Sequence, residues 1–251
     1  MITVGGSVIK VVVPGGHRLP TVALLRVGAS HACVVSGSPY GAANTLNGGA
    51  AVGFSGHLVF ARSDRPLLEA PLFGSLGEEL KATVHTGESR PGGWQMLQFD
   101  AGTWDDSDLP SLVEWSGAPA CVAEVTDSDL ALVTGLDAPG RRWQAWLNLD
   151  IAARLLAEEP EDLEDQLLWL DTPEFHDAVR HKRAELDAEI PTAAESAVVW
   201  AAAAGTSVTP QPAQIEELLR SHETFAEGLF SRLLDELGFP RPRSADARDG
   251  G

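Results

Sequence analysis

The chain has 251 residues, 44% of them apolar, a mean hydropathy of -0.03 and a formal net charge of -18. That length and apolar content suffice for a sizeable core, and no unbroken apolar run reaches the roughly 18 residues that a membrane span needs. So negative a balance repels nucleic-acid phosphate and anionic membranes and attracts basic partners.

The charge is unevenly placed. Residues 1–100 carry seven Lys/Arg against six Asp/Glu, whereas residues 101–189 carry six against twenty-one, a net of -15. The N-terminal stretch MITVGGSVIKVVVPGG is broken by Gly pairs and has no basic lead-in, so it reads as a first strand rather than an export signal. A cytoplasmic location is the resulting expectation, and the Ala, Gly, Asp and Arg usage has a bacterial, high-GC flavour. Cys33 and Cys121 lie far apart and in no CxxC or Cys/His cluster, so they read as small buried apolar groups and not as zinc ligands.

In chain order the first third reads as β. Ile2–Val4 and Ser7–Val13 flank Gly5-Gly6, a two-residue hairpin signal, and Thr21–Val27 and His31–Ser36 form a second apolar pair. Leu58–Ala61 continues the β pattern, and the short connections predict antiparallel pairing. Next come a short helix over Leu76–Val84 and a strand over Trp94–Phe99. Asp108 is the expected cap of a helix through LPSLVEW that stops at Gly117. Ala120–Val125, Leu130–Thr134 and Arg142–Leu147 read as three strands joined by turns.

From Asp150 onward the pattern is helical. Asp150 is the expected cap of IAARLLAEE, and EDLEDQLLWL follows Pro160. Asp171 with Glu174 has capping-box spacing for a helix to about Glu189; Pro191 is expected to break it, with a second box at Thr192 and Glu195. A single amphipathic helix over 212–237 is expected to present Ile215, Leu218, Leu219, Phe225, Leu229, Leu233 and Leu237 on one face. The predicted fold is α+β: an N-terminal antiparallel or mixed β-sheet with a few helices (1–149), then a helical C-terminal region packed on it (150–239). Residues 240–251 read as a disordered tail.

Candidate chemistry is sparse. The segment GSPYGAANTLNGGAAVGFSGH, residues 37–57, nearly matches two motifs. Gly48 to Gly53 has phosphate-loop spacing with Ser55 at the hydroxyl position, but Phe54 stands where the phosphate-binding lysine belongs. Gly53-Phe-Ser-Gly-His57 resembles a nucleophile elbow, with His57 in place of its last glycine. The glycines suit positive φ angles and close backbone approach, and Asn44 and Asn47 suit turns or backbone presentation to a ligand. Ser55, His57, His31 and Cys33 are the only weak catalytic candidates, and no cofactor or metal is implied. Glu174, Asp177 and His181 share a helix face, yet capping and solvated charge account for them.

Arg141-Arg-Trp143-Gln-Ala-Trp146 mixes cations with aromatics, one tryptophan expected in the core and the other covered by arginine or a helix, with an exposed, partner-binding tryptophan as the alternative. The leading expectation is a non-catalytic intracellular binding or adaptor protein, of the kind an immunity-type inhibitor or regulator would be. It would engage a basic protein partner through Trp146 and the acidic run Glu158, Glu159, Glu161, Asp162, Glu164 and Asp165. The alternatives are a small hydrolase centred on the Gly-rich loop and self-association through the 212–237 helix.

Overall fold

The computed structural model describes residues 8–9, 22–23, 53–105, 107–158, 160, 169–170, 172–206 and 209–241. The chain divides into two compact units, residues 1–52 and 53–251. In the first, β1 (Val8–Ile9) pairs antiparallel with β2 (Val22–Ala23). The predicted strands over Ile2–Val4 and His31–Ser36 lie outside the described residues.

The second unit is built on alternation. Its strands are β3 (Gly56–Arg62), β4 (His85–Thr86), β5 (Trp94–Asp100), β6 (Ala120–Thr126), β7 (Leu130–Leu136) and β8 (Arg142–Leu147). They form one sheet in the order β4-β5-β3-β6-β7-β8, with every neighbouring pair antiparallel. Successive side chains on a strand point to opposite faces, so each strand feeds two cores. Leu58, Phe60, Trp94, Cys121, Ala123, Val133, Trp143 and Ala145 go to one; Val59, Ala61, Leu97, Phe99, Ala120 and Val122 go to the other.

Helices close both faces. Two 3-10 turns (Leu67–Glu69 and Pro71–Phe73) and α2 (Asp108–Ser116) cover the second core, where Phe73 stacks on Phe99 at 5.1 Å. Short α1 (Glu78–Thr83) buries nothing. The first core is covered by α3 (Leu149–Leu155), α4 (Pro173–Ala203), α5 (Pro212–Arg220) and α6 (Ala226–Glu236). Trp200 of α4 sits at its centre. Its indole N–H donates to the Leu136 carbonyl at 3.1 Å, and its ring meets Trp94, Trp143 and Phe239. The fold is therefore α+β, as the strand and helix patterns predict.

Four boundaries differ from expectation, two through local capping contacts and two through tertiary ones. The cap of α2 is Ser107 rather than Asp108, and Asp108 reaches back so that its Oδ2 accepts from the Asp105 N–H. The cap of α3 is Asn148 rather than Asp150, and Asp150 pairs with Arg183 instead. The cap of α4 is Thr172, whose Oγ1 accepts from the Phe175 N–H with Pro173 in the first turn. Helix α4 also runs straight through Pro191. Pro191 lacks the N–H that would bond the Asp187 carbonyl, a cost of about 3 kcal/mol. Leu186, Ile190, Ala194, Ala197 and Trp200 are buried on both sides of it, and each large apolar side chain returns about 1.5–3 kcal/mol.

The predicted single helix over 212–237 is two helices, α5 and α6. Between them the backbone finds partners elsewhere: Glu223 N–H donates to Asn148 Oδ1 and Ala226 N–H to the Ser128 carbonyl. Ile215, Leu218, Leu219, Leu229, Leu233 and Leu237 are all buried within the same chain, while Phe225 is 47% exposed.

Candidate functional site

The Gly-rich segment is described from Gly53 onward, where it meets the β6–β7 turn. Gly53 is required there, because a Cβ at that position would stand 2.2 Å from the Asp127 carbonyl oxygen. The turn residues Asp127 and Ser128 both have positive φ, 49° and 60°. That handedness matches the twist of a hairpin but is strained for serine. Hydrogen bonds hold it. Ser128 N–H donates to the Phe54 carbonyl, and its Oγ accepts from Phe54 N–H at 2.8 Å and donates to Glu227 Oε1 at 2.7 Å. Ser128 thus ties the end of the Gly-rich segment to the first turn of α6.

Ser55 lies just before β3. Its Oγ donates to Asp127 Oδ1 at 3.1 Å and accepts from Asp127 N–H at 2.9 Å. His57 is inside β3, in register with Phe99 on β5 and Glu124 on β6. His31, Cys33, Asn44 and Asn47 lie outside the described residues. Cys121 is fully buried in β6, and burial pushes its thiol well above the range in which thiolate forms.

Two residues of this corner escaped the sequence reading. Asn148 adopts φ 58° at the end of β8 and donates Nδ2 to the carbonyls of Asp129 and Glu223 while Oδ1 accepts from Glu223 N–H. Its signal was available, since asparagine tolerates the left-handed region better than most residues. Ser128 had none. Nearby, burial raises the Asp129 carboxyl, the Asp127 charge adds to this, and His222 opposes it. Replacing Ser128 with alanine should remove about 1–3 kcal/mol in urea denaturation, because it leaves the Phe54 N–H without an acceptor. Ser55→Ala, at an exposed bond, should change stability by under about 1 kcal/mol.

The acidic part of the chain has a definite charge pattern. Of its six cations, Arg141 pairs with Asp137, Arg180 with Asp177, Lys182 with Glu185, and Arg183 with Asp150 and Asp187. Arg220 reaches over from α5 to the same Asp187 at 3.0 Å. Its hydrogen bond, then that of Arg183, hold the Asp187 carboxyl below its ordinary range; Lys182 does the same for Glu185. Arg154 lies over the Phe175 ring. The cations are thus largely committed to acids of their own chain. Glu114, Glu158, Glu174 and Glu189 are exposed, with no ion pair among the described residues.

Trp146 sits half-buried on edge strand β8 opposite Leu132, while Trp143 is in the core. Glu158 is exposed; Glu159, Glu161, Asp162, Glu164 and Asp165 lie outside the described residues. Among the described residues no three His, Cys, Asp or Glu side chains converge to hold a metal, and no helix is long and apolar enough to cross a membrane. No known protein family, curated protein or solved structure matches the chain.

Proposed function

We propose that this is a non-catalytic binding protein whose acidic surface engages a basic protein partner, as an inhibitor or regulator would. The observation that supports it is the allocation of charge. Residues 101–189 carry a net of -15 with few free cations among the acids. The arginines and the lysine of that region, Arg142 apart, pair with its own carboxylates or cover an aromatic ring, and the surplus is left anionic. A surplus of one sign raises the encounter rate with an oppositely charged partner and selects against acidic ones. Trp146 and the exposed acids of α4 are the first contact candidates.

The test is capture of a partner from the native host lysate, with identification by mass spectrometry and elution through rising salt. A basic protein held in dilute buffer should release as the Debye length shrinks from about 10 Å at 0.1 M toward about 3 Å at 1 M. Glu174 and Glu189 are separated by about 60° around α4, so the pair Glu174→Lys and Glu189→Lys reverses charge on one side of the helix. Retention of the same partner by that variant, or a complex indifferent to salt, would sink the reading.

A further inference from the structure

A groove of about 230 Å³ opens where α4 crosses the β7–β8 hairpin. Arg142, at the start of β8, and Glu195, on α4, are both exposed and line the same groove, yet neither has an ion-pair partner among the described residues. The other charges that line it are already matched. Buried Asp137 accepts from both the backbone N–H and the Nε of Arg141 at 2.7 Å.

The same groove is lined by apolar and hydroxyl groups. Glu195, Ser196, Val199 and Trp200 follow helical spacing along one side of α4. Val199 is 47% exposed, one of few large apolar side chains so placed. Trp143 and Trp200, buried and with ring centroids 6.0 Å apart, are also among its lining residues. The Ser196 hydroxyl has no hydrogen-bond partner among the described residues. Clefts for drug-sized ligands run from about 300 Å³ upward, so this one suits a smaller molecule.

We propose that the groove is a binding site for a free α-amino acid with an apolar side chain. Arg142 receives the α-carboxylate in a forked, charge-assisted contact, and Glu195 receives the α-ammonium. Val199 takes the side chain. The chemistry demands a zwitterion: a simple carboxylate leaves Glu195 unmatched, and a simple amine leaves Arg142 unmatched. A chain terminus buried in a peptide offers one charge and not both. This site is independent of the acidic-surface reading.

Calorimetric titration of the full chain with L-valine, L-leucine and L-phenylalanine tests it, followed in parallel by tryptophan fluorescence. At least one of the three should bind saturably. For that amino acid, its N-acetyl derivative and its amide should each bind at least about 10-fold more weakly, since each lacks one charge. Arg142→Gln and Glu195→Gln should each weaken binding at least about 10-fold while leaving the thermal midpoint unchanged, because both side chains are exposed and have no ion pair among the described residues. No saturable binding of any of the three overturns the proposal. So does an N-acetyl derivative or an amide that binds as well as the parent, or binding that neither variant affects.

Discussion

Gly135→Ala is expected to destabilise the protein by about 3 kcal/mol, the upper end of what overpacking a dense core costs. Gly135 lies on β7 directly opposite Trp143 on β8. The indole leans across the strand pair into the space where a side chain at 135 would stand. A Cβ there would be 2.0 Å from Trp143 Nε1 and 2.5 Å from its Cε2. Trp143 has little room to retreat, because it is only 5% exposed and packs edge-on against Trp200. Glycine inside a strand ordinarily weakens it, so its presence here marks the close approach. Trp143→Ala alone should cost about 3–5 kcal/mol by cavity formation. The double variant should cost less than the sum by more than about 1 kcal/mol, since the two residues share one space. Urea denaturation of the four proteins gives all three quantities, and a Gly135→Ala protein as stable as the parent would contradict the packing described.

Arg90→Ala should be at least as damaging, at about 3–5 kcal/mol, the usual penalty for breaking a buried ion pair by removing one partner. Arg90 precedes β5, is 5% exposed, and pairs with Asp235 on α6. Its Nη1 also donates to the Phe239 carbonyl and its Nη2 to the Ser231 Oγ and carbonyl. The guanidinium lies over the Phe60 ring at 5.8 Å. Burial lowers its pKa and Asp235 opposes that. One side chain thus fastens α6 and the segment after it to the sheet. Asp235→Ala should cost less, about 1–2 kcal/mol, because that carboxylate is 34% exposed and Arg90 keeps its other oxygen acceptors. The order of the two variants in chemical denaturation is the informative result. Equal losses would mean that the ion pair alone carries the effect.

Much of the fold was legible along the chain. Arg142–Leu147 is a strand with the limits its alternation predicts, and β3, β5, β6 and β7 fall within two residues of theirs. Gly117 ends α2 in the left-handed conformation, as a glycine after a helical run should. These signals are local, set by side-chain periodicity and backbone sterics over a few residues. The errors at Pro191 and at residues 221–225 are of another kind. A proline costs a fixed local amount, and only the burial of Ile190, Ala194 and Trp200 on the sheet outweighs it. An amphipathic stripe likewise cannot reveal that Asn148 and Ser128 will take the backbone donors that a continuous helix would use.

The candidate sites follow the same division. By itself the sequence determined the α+β class, the strand and helix order, and the concentration of negative charge in residues 101–189, because composition and period need no partner. Only the tertiary structure decided which charges remain open. Asp137, Asp187 and Arg183 are matched by residues close in space, some of them far along the chain. Arg142 and Glu195, read from sequence as a strand-end cation and a helix cap, line one groove, and neither has an ion pair among the described residues. Charge neutralisation acts over a few ångströms of space rather than over sequence separation, and the fold alone brings those distances about.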